Sequence, residues 1–170
     1  MNIFICAVQF KGGSLQVVIS LIKEFVKFPE NNYFVVMSKE VKKQLQGIEF
    51  PGNFHFYDLP YPSKIRLLNS YLRGSLLSKI EKESNCDCVI CSSGPVYWTP
   101  KKPMLLGYNL PHLIYPESPY FKRIPLWMRL RWKVRWATHI ARYKKEAAAI
   151  FVQTEDVNQR LSRILKEIPI

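Results

Sequence analysis

Residues 2–25 read NIFICAVQFKGGSLQVVISLIKEF. The compact apolar run over 3–8 is the pattern of a strand covered on both faces. After Gly12 and Gly13, positions 14–28 carry Leu15, Val18, Ile19, Ile22, Phe25 and Val26 at three- and four-residue spacing, which predicts an amphipathic helix. The glycine pair between them has two readings. It is a plain turn, or it is a loop that lets a ligand approach its backbone. In the second case Ser14 stands at a helix N-terminus whose free N–H groups and partial positive charge suit phosphate. Neither G-x-G-x-x-G nor G-x-x-x-x-G-K-[ST] is present, so the dinucleotide and P-loop readings fail.

The alternation continues outward from this stretch. Strands are predicted over 33–37, 54–58, 87–91, 104–108 and 149–153, with helices over 63–83, 126–147 and 155–166 and a short one opening at 38–41. The long helix 63–83 places Ile65, Leu68, Leu72, Leu76 and Ile80 on one face. Helices between consecutive strands imply parallel crossovers, hence one doubly wound Rossmann-like α/β sheet of six to seven strands with helices on both faces. No internal repeat or linker divides the 170 residues. In such sheets ligands bind beyond the carboxyl ends of the strands. That rule singles out the loops 9–14, 92–97, 108–115 and 153–155.

The bulk numbers narrow the classes. A hydrophobic share of 48% fits a globular core, and no apolar run reaches the roughly 18 residues of a membrane-spanning helix. The first residues lack a basic n-region and an A-x-A cleavage site, so a cytoplasmic address is expected. The 25 Lys and Arg against 13 Asp and Glu, a net +12, favour anionic partners. Cys86, Cys88 and Cys91 form C-x-C-x-x-C, but a two-residue period puts Cys86 and Cys88 on one face and Cys91 on the other, which splits any ligand set. Core packing is the expected role of all four cysteines, Cys6 included, and no metal site is expected.

Three stretches together carry a resemblance. The strand and GG-opened helix, GYNLPHLIYPES (107–118) and EAAAIFVQTEDVNQRL (146–161) are similar, in order and spacing, to the N-terminal domain of GT-B fold glycosyltransferases, particularly the family 4 group. The resemblance covers essentially the whole chain. It implies that residues 1–170 are an acceptor-binding domain, facing across a cleft a second domain that holds most of the nucleotide-sugar donor and carries E-x7-E. That motif is absent here, so this chain alone is expected to be inactive. The implied reaction is metal-independent, retaining sugar transfer to a glycan or lipid-linked acceptor, in bacterial surface polysaccharide or glycolipid assembly. The nucleotide sugar is a substrate, and no cofactor is implied.

The resemblance places Gly12, Gly13 and Ser14 beside the donor diphosphate and the acceptor. The family's His-Asp pair falls on Asn109 and Leu110, a departure from the pattern, and Leu110 cannot act as acid, base or ligand. Asn109 suits hydroxyl recognition, being donor and acceptor together. His112, three residues on, either takes over a sugar-hydroxyl contact or is a loop histidine without a role, and no other catalytic candidate stands out. Ser92, Ser93 and Gly94 are acceptor contacts or a tight turn. Thr154 is expected to cap the last helix and also to line the cleft. Glu117 is read as loop structure, and His55 and His139 are unassigned.

The segment 119–147 concentrates positive charge. At about 100° per residue, Leu126, Trp127, Leu130, Val134, Ala137 and Ala141 gather on one face, read as the core side. Trp132, Trp136 and Tyr143 gather roughly opposite, flanked by Arg131, Arg135 and Arg142 on one edge and by Arg129 and Lys133 on the other. Such a stripe suits an anionic membrane surface, a partner or the second domain. Nucleic acid is disfavoured, because no RRM, KH or helix-turn-helix pattern appears. The alternative to the enzyme is a non-catalytic Rossmann-like module that binds a phosphorylated ligand or an anionic surface.

Overall fold

Alternating strand and helix patterns fold here into one sheet with helices on both faces. The computed structural model describes residues 1–8, 12–59, 66–110 and 114–170, with the side chains of 66–70 outside the description. The described residues form six parallel strands: β1 (Asn2–Ala7), β2 (Asn32–Met37), β3 (Phe54–Asp58), β4 (Cys88–Cys91), β5 (Met104–Gly107) and β6 (Ala149–Phe151). Their spatial order is β3-β2-β1-β4-β5-β6, a Rossmann-like arrangement. The chain builds outward from β1 to one edge, returns, and builds outward from β4 to the other. The reversal opens a crevice at the carboxyl ends of β1 and β4.

The helices are α1 (Gly13–Glu24), prolonged by a 3-10 turn at Phe25–Lys27, α2 (Lys39–Leu45), α3 (Arg66–Glu83), α4 (Pro119–Arg123), α5 (Leu126–Glu146) and α6 (Glu155–Ile164). Strand alternation divides β1 between two cores. Ile3, Ile5 and Ala7 pack with Val18, Ile19 and Ile22 of α1 and Val41 and Leu45 of α2. Phe4 and Cys6 pack with Leu77 and Ile80 of α3, Ile140 and Tyr143 of α5 and Leu161 of α6. Both faces are closed, which is why β1 reads as an unbroken apolar run.

The crossover from β4 to β5, where the sequence predicts no helix, is a loop whose Val96 and Trp98 enter the core and whose Gly94–Pro95 peptide is cis. Three sequence expectations are corrected. In α3 Ile80 is buried and Leu76 half-buried as predicted, whereas Leu72 is exposed and Leu77 is buried in its place; Ile65 and the side chain of Leu68 lie outside the described residues. At this end the inward face extends to Glu81, which is buried and accepts from the Lys101 and Lys102 amides. Among the cysteines, Cys86 shares a cluster with Cys6 and Cys91, while Cys88 meets the other core. Strand β4 begins only at Cys88, so two-residue alternation does not govern Cys86.

The third correction inverts α5. Leu126, Trp127, Leu130 and Val134, the expected core side, are 79%, 62%, 65% and 58% exposed. The opposite stripe faces inward at one end: Tyr143 is fully buried and donates to Gly107 O at 3.1 Å, Trp132 is half-buried against Phe121, and Trp136 is 36% exposed. Two apolar stripes compete on this helix, and polar tips decide between them. The inward stripe runs on through Tyr143 to His139 and Glu146, which all find partners inside. Two of the flanking cations are also committed locally. Arg129 donates to Ile124 O and Lys122 O, and Arg142 lies over the Tyr97 ring and 3.9 Å from Glu146. Arg131, Lys133 and Arg135 are exposed, the last lying over the Trp132 ring.

Candidate functional site

The crevice beyond β1 and β4 is occupied by a cavity of about 550 Å³, inside the usual range for small-molecule sites. Four segments line it. The start of α1 supplies Gly13 and Ser14, the loop after β4 supplies Ser93, the loop after β5 supplies Tyr108, Asn109, Leu110 and Tyr115, and the end of β6 with α6 supplies Gln153, Thr154 and Val157.

At the first segment Gly12 caps α1 with φ +74°, a conformation that side-chain-bearing residues rarely adopt. Gly13 itself is the first helical residue. The first turn of α1 holds no acidic residue, so no carboxylate of that turn opposes the positive end of the helix dipole at the cavity.

The second segment is held from behind by two helices. Glu81 of α3 accepts from Lys101 N and Lys102 N at 2.6 and 2.8 Å, and Ser78 accepts from Trp98 Nε1 at 2.9 Å. Glu146 of α5 accepts from Val96 N at 2.8 Å. Burial pushes the Glu146 carboxyl above its ordinary value, and the Val96 amide and the Arg142 charge act against that shift. Tyr97, at φ +59°, brings its hydroxyl 3.3 Å from His139 Nε2. This scaffolding fixes Ser92 and Ser93 at the carboxyl end of β4. Ser92 is buried, its carbonyl accepts from Asn109 Nδ2 at 2.9 Å, and its hydroxyl has no partner among the described residues. Gly94 does not line the cavity. A Cβ there would sit 2.7 Å from Leu106, so the position serves packing.

On the third segment Tyr108 is buried and donates to Leu110 O at 3.0 Å, and burial holds its phenol far above the ordinary value. Tyr115 hydrogen-bonds Asp156, and that bond raises the phenol and lowers the carboxyl. Arg160 lies 4.3 Å over the Tyr115 ring, bonds Asp156 at 3.1 Å and pairs with Glu117 at 2.6 Å. The cluster ties the loop to α6. Thr154 caps α6 by accepting from Val157 N at 3.4 Å while lining the cavity.

The fold thus brings Gly13, Ser14, Ser93, Asn109 and Thr154 to one cavity, sets Gly12 and Ser92 immediately behind it, and leaves Gly94 in the packing layer. His112 lies outside the described residues. Tyr108, Tyr115 and Gln153 are lining residues that the sequence did not single out. Only their place in the carboxyl-end loops signalled them. The described lining carries no carboxylate and no histidine.

No known sequence family matches the chain, and no curated protein is similar to it in sequence. Solved structures are similar in fold. UGT2 of Phytolacca americana, a UDP-glycosyltransferase of the GT-B fold, has been solved with UDP-2fluoro-glucose and pterostilbene, and superposes with a TM-score of 0.56 at 12% identity over 99% of this chain and 52% of that one. The apo form of the same plant protein gives 0.57 at 12% identity, over 99% and 51%. The chain spans about half the length of these structures. The likeness is one of fold.

Proposed function

We propose that residues 1–170 are the acceptor-side domain of a GT-B glycosyltransferase of the family 4 kind, working with a second domain that holds most of the nucleotide-sugar donor. One observation carries the reading: the cavity joins the N-terminus of α1, whose first turn has no acidic residue, to hydroxyl and amide side chains from three other loops. That combination suits the phosphate end of a donor beside the hydroxyls of an acceptor. In this reading the Gly13 and Ser14 amides face the diphosphate. Asn109 and Ser93 orient the acceptor hydroxyl, and Thr154 closes the cavity floor. Transfer is metal-independent and retaining, the acceptor is a glycan or lipid-linked saccharide of a surface polysaccharide or glycolipid, and the work is done at the inner face of a membrane.

The described lining holds no group that ionises near neutrality, which favours a second reading. In it the chain is a non-catalytic module that takes a phosphorylated ligand into the same cavity. Incubating the protein expressed from its complete gene with a panel of labelled nucleotide sugars separates the two. Release or transfer of label, reduced about tenfold by Asn109→Ala through loss of one hydrogen bond to a polar partner, supports the enzyme. Binding of a nucleotide sugar or free phosphate ester without turnover supports the module.

A further inference from the structure

A second cavity, of about 640 Å³, lies between α4, α5 and α6. The Tyr115–Arg160 stack divides it from the first: Tyr115 lines one and Arg160 the other. Its apolar lining comes from Phe121, Trp132, Trp136 and Ile164. Lys122, Lys133 and Arg163 also line it, are exposed, and form no ion pair among the described residues. Aromatic surface in an open pocket marks a contact site, and three exposed cations at its rim set a positive potential there. A single ligand with an apolar chain and an anionic head satisfies both.

We propose that this cavity binds an amphiphile consisting of one apolar chain bearing a phosphate head, the chain lying on Trp132 and Trp136 and the head facing Lys133 and Arg163. The site stands on these residues alone and is independent of sugar transfer in the neighbouring cavity. Any loss of transferase activity leaves it in place.

Tryptophan fluorescence provides the test, because two of the four Trp residues line the site. Dodecyl phosphate, titrated as monomer into the chain, is expected to bind and perturb the emission. Decyl phosphate should bind about tenfold more weakly, since two methylenes leave the pocket. Dodecanol and inorganic phosphate should each bind about tenfold more weakly or worse, and Lys133→Glu combined with Arg163→Glu should weaken dodecyl phosphate about tenfold with an unchanged melting temperature. Leu130→Glu, on the outer face of α5, should leave the affinity for monomeric dodecyl phosphate unchanged. Equal affinity for dodecanol and dodecyl phosphate, unaltered binding by the double variant, loss of binding in Leu130→Glu, or binding only to phosphatidylglycerol vesicles would each overturn the proposal.

Discussion

Gly107 leaves no room for a side chain. A Cβ there would sit 2.1 Å from Ser92 O and 2.6 Å from Ser92 C, both atoms of backbone that cannot yield. Gly107→Ala should therefore cost about 3 kcal/mol in urea unfolding, at the upper end of overpacking effects, and should displace Ser92 from the cavity edge. Glu146 gives a second prediction. Its folded-state pKa lies above the ordinary 4.5, because burial disfavours the carboxylate. The folded chain then holds the proton more tightly, and the stability this contributes is present below about pH 4.5 and lost as pH rises through the higher folded value. Glu146→Gln does not titrate. The melting temperature of the wild type should fall relative to that of Glu146→Gln between pH 4 and pH 8, and a constant difference would refute the assignment. Neither residue was legible in the sequence. A glycine at the end of a strand and a glutamate near the end of a basic helix gain meaning only from what lies opposite them.

At the scale of elements, α5 shows what periodicity can and cannot decide. The two stripes were legible to the residue, but which one faces the sheet was not. Hydrophobicity alone favours Leu126, Leu130 and Val134 for the interior. The pairing of Tyr143 with Gly107, Glu146 with Val96 and His139 with Tyr97 overrules it. Under the proposed role at a membrane, the contact accordingly moves to the outer stripe, where Arg131 and Lys133 flank exposed Trp127 and Leu130. Leu130→Glu should lower cosedimentation with anionic vesicles about tenfold, through loss of one inserted apolar side chain and added like charge. Tyr143→Phe should leave vesicle binding unchanged and lower stability by about 1 kcal/mol, the worth of one buried hydrogen bond. The loop from β4 to β5 carries the same lesson. Its anchors, Glu81 and Ser78 on α3 and Glu146 on α5, lie about 20 and 50 residues from the groups they hold.

For the whole molecule, the strand order β3-β2-β1-β4-β5-β6 puts the reversal of the chain at β1 and β4. The cavity forms where the first glycine loop meets loops from the second half. If a nucleotide sugar binds there, saturation at about 100 times Kd should stabilise the folded state by about 2.7 kcal/mol, and raise the melting temperature of a chain this size by roughly 5–10 °C. No shift with any nucleotide sugar or sugar phosphate would remove the cavity as a ligand site for this chain on its own.

The sequence by itself determined the parallel α/β class, the identity of the strands to within about two residues, the cap at Thr154 and the four loops among which the cavity lies. These depend on local periodicity, on turn chemistry and on the rule that parallel sheets bind ligands at their carboxyl ends. Tertiary structure decided which stripe of α5 is buried, that Gly94 packs against Leu106, that Cys86 joins Cys91, and that Tyr115, Asp156, Arg160 and Glu117 form one cluster. Each of these outcomes rests on contacts between residues distant in the chain. Their energies belong to the pair, so neither partner's sequence neighbourhood records them.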